Sequence, residues 1–374
     1  MAENLSHSVS TPVPEGRGGA LDALRFVAAL LIVVYHFGGD APVALDTLHP
    51  VFDRGYLATD FFLILSGFVL GRAYGAQVLS GRTGLGGFLK KRVARIWPGQ
   101  LVVLAAVGAI VALAGLVGVA PRNPEHYTPL AMAMQALLVQ AWGLPGGGGW
   151  NQQSWSLSAL IVCYAGFPLA WRWISKMTSP SALLALGLGV VMVGDLICVA
   201  VFNHHIYDLD FHLGVIRAAP LFLLGVCIAR VVETGGPSVV VARVLAVLSL
   251  VTLTLLQLLG RFDLASLVCI AGVVLSFGRL PVAKPSALIE QGAKLSFALF
   301  ISHGLTGLIW FGALHVLESR FGLPSWLHWT LWAAALPAAF VVSALFHRWI
   351  DAPIQVWLAP KLKGKPRAAE AAPA

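Results

Sequence analysis

The chain has 374 residues, 58% hydrophobic and 11% charged, with a mean hydropathy of +0.81; a soluble domain carries roughly 25% charged residues. This excludes a soluble enzyme and predicts a polytopic membrane protein. The formal net charge of +8 calls for no nucleic-acid partner, because membrane topology and anionic lipid account for it.

Residues 1–19 are polar and rich in Ser, Pro and Gly, with no apolar core preceded by positive charge. They read as a disordered cytoplasmic N-terminus rather than a cleaved signal. The first apolar run, 21–37 (LDALRFVAALLIVVYHF), carries Arg25 and His36. Eleven residues turn a helix through about 1100°, close to three full turns, so both side chains share one face roughly 16 Å apart along the axis. Ionisable groups at membrane depth mark functional sites by default; the plainer alternative is that Arg25 and His36 snorkel to opposite headgroup layers.

The second span, 57–75, brings Asp60 in at the level where His36 leaves the first, and helices joined by a short connection pack as antiparallel neighbours. A carboxylate beside an imidazole raises its basicity and fixes its tautomer, so a His36–Asp60 pair is expected. Ser66 and Gly67 let a neighbouring backbone come close. The segment 81–98 (GRTGLGGFLKKRVARIWP) reads as an inner loop. Its Arg92 and Arg95, three apart, share a face if helical and can clasp a phosphate; the alternative is a cluster that only enforces topology.

A third span covers 97–118. Residues 130–139 are apolar but too short to cross, and 145–150 form a Gly-rich loop without the pattern of a phosphate loop. Further spans are expected at 156–174, 181–201, 213–233, 238–259, 263–279, 293–316 and 326–350, which makes about ten. Asp195 and Arg217 lie within spans, and His303 falls near mid-membrane. His204, His205, His212, Asp208 and Asp210 cluster in one outer loop without metal-ligand spacing, so no metal is expected. Cys163, Cys198, Cys227 and Cys269 read as small buried residues.

With both termini cytoplasmic, 19 of the 25 Lys and Arg residues fall on the inner side, as the positive-inside rule requires. The expected fold is therefore an all-α membrane bundle: a transmembrane domain over 20–353 and a basic, partly disordered cytoplasmic tail over 354–374. The polar groups sort by depth, Arg25, Arg92 and Arg95 inner, His36 and Asp60 outer. That layout suits either a transporter or proton-coupled exchanger, or an enzyme taking a phosphate-bearing donor from the cytosol.

Several motifs then converge. Arg25, ten residues and His36; FFLILSGF (61–68); Arg92-Val-Ala-Arg95 followed by Pro98; Trp155-Ser156-Leu157-Ser158; and LSFALFISH ending at His303 together resemble integral-membrane acyltransferase family 3, bacterial enzymes that O-acylate sugars. HRWIDAP (347–353) extends the resemblance. It implies acyl-CoA, acetyl-CoA foremost, as donor substrate held by Arg25, Arg92 and Arg95; His36 as the catalytic residue, oriented by Asp60; and Trp155, Ser156, Ser158 and His303 near the acceptor. It also implies a glycan or lipid-linked sugar acceptor and residence in the bacterial inner membrane, while leaving oligomeric state open. One departure stands out: many members carry Glu two positions after WSLS, and this chain has Leu160, which keeps an inactive relative in glycan assembly among the readings.

Overall fold

The computed structural model describes residues 19–81, 84–121, 123–282 and 286–362. The expected disorder of 1–19 falls, except for Gly19, outside these residues, as does the tail from Lys363 onward. Among the described residues there are helices and no strands: α1 (Ala20–Gly38), α2 (Leu45–Leu48), α3 (Tyr56–Leu79), α4 (Leu85–Leu116), α5 (Pro129–Leu137), α6 (Trp155–Ile174), α7 (Pro180–Phe202), α8 (Gly214–Glu233), α9 (Val239–Leu259), α10 (Asp263–Arg279), α11 (Ala287–Phe321), α12 (Ser325–Phe346) and α13 (Ala352–Leu362).

A helix stands at each of the ten expected spans. Nine of the described helical segments are long and apolar enough to cross a membrane; α10, with 17 residues, is about 26 Å long and slightly short of a 30 Å hydrocarbon layer. The chain is thus a multi-pass membrane protein. Segment 130–139 becomes the nine-residue α5, far too short to cross. It ends at Leu138, a buried residue with φ 55°, whose carbonyl accepts from the Ser158 hydroxyl at 2.7 Å.

Two boundaries differ from expectation. The basic segment read as a loop belongs to α4, which begins at Leu85 and runs for 32 residues. Its glycines and cations suggest a loop, but long basic side chains reach polar surroundings while their backbone stays helical. Likewise 354–362, assigned to the tail, is helical in α13, joined to α12 by a single π-helical turn over His347–Asp351.

The bundle is built around α3 and α8. Gly67 lies against the Phe222 carbonyl and Gly225 against the Ile64 carbonyl, so a Cβ at either position would overlap backbone of the other helix. Small residues permit this approach in membranes, where dispersion and complementary shape drive helix association. In Phe211–Glu233, 61% of the most apolar stretch is buried; in α9 only 17% is. Helix α8 is therefore core, and the exposed Val240, Val244, Leu248, Val251 and Leu255 of α9 face lipid. Ser179, Ser238 and Ser286 cap the N-termini of α7, α9 and α11 with their side-chain oxygens.

Candidate active site

A cavity of about 390 Å³ opens where the first turns of α1, the basic part of α4 and the start of α11 meet. Arg25, Lys91, Arg92 and Arg95 line it, with Asp22, Ser156, Tyr164, Ser296 and Gln355 among the other polar groups. The three arginines assigned to the donor from sequence thus share one chamber. Arg25 bonds Asp22 at 3.3 Å. Arg92 donates from Nη2 to the Tyr74 hydroxyl, its guanidinium lies 4.6 Å from the centre of that ring, and its Nε is buried with no partner.

Arg95 is held from two sides. Its guanidinium sits 4.5 Å from the Phe297 ring centre, and its Nη1 donates to Asp351 at 2.7 Å. Asp351 is 2% exposed and also pairs with His347 Nδ1 at 3.2 Å. Both residues belong to the π turn. Gln355, one turn further, donates to the carbonyls of Ala94 and Arg95. Arg95 Nη2 makes a longer bond to the Asp351 carboxylate at 3.5 Å; an arginine keeps five donors in a rigid fork, so one tethered in this way still presents donors to a phosphate.

Apolar side chains complete the cavity wall, among them Phe62, Leu65, Leu157, Leu160 and Phe300. Leu160, where a carboxylate was expected from the resemblance, is one of these apolar wall residues. Phe300 marks the boundary with the second feature of the site, its ring centre 6.3 Å from that of His303.

His303 is fully buried in α11, and His36 is exposed at the end of α1. His303 Nε2 and His36 Nδ1 are 3.0 Å apart, with the rings nearly stacked at 25°. His303 Nδ1 lies 3.1 Å from the Leu299 carbonyl oxygen. The helix places Arg25 towards the cavity and His36, eleven residues on, at this pair. Trp332 closes the same corner by donating from Nε1 to the Phe37 carbonyl at 2.8 Å.

The expected His36–Asp60 pair is not formed. Asp60, with no exposed surface, takes Arg217 Nε at 2.8 Å and Nη2 at 2.9 Å on its two oxygens, while Arg217 also donates to the carbonyls of Tyr207 and Tyr56. The cause is helix rotation. Asp60, Ile64, Gly67 and Gly71 recur at helical spacing, and Ile64, Gly67 and Gly71 press on α8, so Asp60 points to α8 and not to α1. The legible signal was a pair of opposite charges inside two spans, each needing a partner at membrane depth. A neighbouring pair follows the same logic: buried Arg54 meets Asp263 at 2.7 Å, and the Tyr56 hydroxyl donates to Asp263 at 2.6 Å.

The WSLS residues divide. Ser156 lines the cavity. Ser158 Oγ donates to the Leu138 carbonyl and accepts from the Ala141 N–H, which ties α6 to the turn after α5. Trp155 lies beside Arg217, 5.6 Å from guanidinium to ring centre. Asp195 also has partners that sequence reading did not find: His205 Nδ1 at 3.0 Å and the Ile206 N–H at 2.9 Å. The Gly-rich loop is fastened by Gln135, whose Nε2 donates to the carbonyls of Gly147, Gly148 and Gly149.

A cationic chamber with Phe300 in its wall, and a histidine pair whose His303 ring neighbours that Phe300, frame the comparison with known proteins. Residues 19–348 match the family model described as an acyltransferase domain, Acyl_transf_3. The chain belongs to acyltransferase family 3. The match takes in α1 through α12 and therefore His36, His303 and the arginine cavity. Among curated relatives, the acyltransferase MdmB of Streptomyces mycarofaciens is 34% identical over 167 residues, 42% of this chain and 40% of that protein. Protein 2 in the picA locus of Rhizobium radiobacter is 32% identical over 194 residues, 48% of this chain and 94% of that one. The first of these matches thus spans less than half of its relative's length. No solved structure matches the chain.

Proposed function

We propose that this family member transfers an acyl group, acetyl foremost, from cytosolic acyl-CoA to a hydroxyl of an extracytoplasmic or lipid-linked glycan such as a surface polysaccharide. The bilayer in this reading is the bacterial inner membrane, with the basic end of the bundle in the cytoplasm. The observation that carries the proposal is the joint placement of Arg25, Arg92 and Arg95 around one cavity whose wall includes Phe300, the ring neighbour of His303 in the His36–His303 pair.

The chemistry follows from this layout. The donor's phosphates sit among the arginines through charge-assisted hydrogen bonds, and its pantetheine arm runs past Phe62 and Phe300 towards His36. The His36 imidazole takes the proton of the acceptor hydroxyl as that oxygen attacks the thioester carbonyl. The carbon–sulfur bond breaks, and the departing thiolate takes the proton back from the imidazolium, so the base is restored. Ser156 is the member of the WSLS group assigned to substrate contact, because its side chain faces the cavity and that of Ser158 is spent on backbone.

The test is thiol release from acetyl-CoA by the purified full chain, supplied with a glycan or lipid-linked oligosaccharide fraction from the host. His36→Ala should lower turnover by about 100-fold or more, the contribution of a positioned general base, while the protein still inserts and purifies as a single species. Turnover that persists in His36→Ala would remove this residue from the chemistry. Absence of both turnover and acetyl-CoA binding in the wild type would favour a transporter or an inactive relative.

A further inference from the structure

The two imidazoles at the end of α1 define which nitrogen does the work. A carbonyl oxygen can only accept, so the His303 Nδ1 that lies 3.1 Å from the Leu299 oxygen must carry hydrogen. No acidic side chain bonds either ring among the described residues, and a buried imidazole without a counter-charge is neutral. A neutral ring protonated at Nδ1 has a lone pair at Nε2. The 3.0 Å contact from that atom to His36 Nδ1 then requires the hydrogen to lie on His36 Nδ1. The remaining nitrogen of His36, Nε2, is left with an unshared pair on the exposed ring.

We infer that His303 is a positioning residue that holds His36 in the Nδ1–H tautomer and aims its basic Nε2 at the acceptor hydroxyl. The inference deepens the acyl-transfer reading and rests on it for the identity of the acceptor. Three features of the structure fix the device. His303 is fully buried, so no water competes for its Nε2. Its other nitrogen is committed to a helix carbonyl four residues back, which cannot change role. The rings of Phe37 and Phe300, with centres 6.3 Å from that of His303, confine it on two sides. A carboxylate in this position would orient the base and stabilise its cation; a neutral imidazole orients it and lets the proton leave again without a fixed negative charge in the bilayer. When His36 becomes an imidazolium during transfer, its Nδ1–H bond to His303 is kept, so no hydrogen bond has to be broken in the step.

The experiment has two arms. In the first, His303→Phe keeps a ring of similar volume and deletes the acceptor, whereas His303→Gln places a carbonyl oxygen near the lost Nε2. Expected is a fall in kcat of about 10- to 100-fold for His303→Phe, with KM for acetyl-CoA unchanged, and recovery of most of that loss in His303→Gln. Full kcat in His303→Phe, or equal loss in both variants, overturns the inference. In the second, nitrogen-15 NMR of histidine-labelled wild-type protein in nanodiscs, with His36→Asn to assign the signals, reads the tautomer directly. A protonated Nδ1 and bare Nε2 at His36 is the expected result; a protonated Nε2 overturns it. This arm needs neither turnover nor a folded variant of His303. A failure of acyl transfer is therefore seen separately from a failure of the tautomer assignment.

Discussion

Two sets of charges occupy opposite ends of this bundle and are built differently. At the end where α1 finishes, Arg217 meets Asp60 through two hydrogen bonds with both side chains out of solvent, and Arg54 is enclosed by Asp263, Gln257, Ser266 and the Arg261 carbonyl. At the end where α1 begins, Arg95 is tethered to Asp351 yet 40% exposed, and Arg92 keeps a buried Nε without a partner. In the first region each guanidinium is saturated by the protein, which is how a low-dielectric interior tolerates charge. In the second, donors remain for something that the protein itself does not supply. The contrast separates charges that hold helices together from charges that await a substrate, a distinction that charge counting along the chain cannot make.

Mutations at the two ends should diverge accordingly. The largest effect on stability belongs to Arg217→Ala, which leaves Asp60 buried and uncompensated and costs about 3–5 kcal/mol; thermal unfolding in detergent reads it. Replacing both partners together, Arg217→Met with Asp60→Leu, should recover much of that loss, and a double variant as unstable as the single one would mean that the Tyr56 and Tyr207 carbonyls matter more than the ion pair. At the other end, Arg92→Ala with Arg95→Ala should lower the unfolding midpoint less than Arg217→Ala does, because His347 stays beside Asp351, and weaken acetyl-CoA binding by about 10-fold or more, the scale of one lost charge-assisted hydrogen bond. Calorimetry at two salt concentrations checks it, because an electrostatic contribution shrinks as salt rises.

The smallest effect is expected in the loop between α7 and α8. Burial, reinforced by the Asp263 carboxylate, raises the pKa of Asp208 above the ordinary carboxylate range. An acid whose folded pKa exceeds its unfolded value costs stability as pH climbs from the unfolded value through the folded one. Asp208→Asn should therefore unfold at a slightly higher temperature at neutral pH, and the two curves should converge in acid. A gap that stays constant across the titration would assign the effect to hydrogen bonding instead of charge.

Much of the architecture was legible because apolar runs of the right length have few alternatives in a membrane. The exceptions have physical reasons. The start of α4 reads as a loop since Gly81, Gly84, Gly86 and Gly87 precede a dense block of cations, and only the neighbouring helices make that block worth keeping helical. Depth sorting put Arg25, Arg92 and Arg95 near one membrane face, and the family resemblance grouped them at one donor site. The partner of His36 did not follow. His303 is 267 residues away, and no local spacing relates two helices that meet only through the closure of the bundle. Asp60 misled for the converse reason: adjacency in sequence favoured α1, while the glycine seam turned its side chain to α8.

The π turn at His347–Asp351 sets a limit on how this site can drift. Such a turn amounts to one extra residue in an otherwise continuous helix, and it is what lets α12 cross the membrane in one register and Asp351 meet Arg95 in another. Tightened to an ordinary α-helix at the same length, this stretch would swing everything beyond it by about 100°, taking Gln355 away from α4. The wide turn absorbs that rotation, so the contacts of α13 with α4 depend on the turn staying wide at its present length.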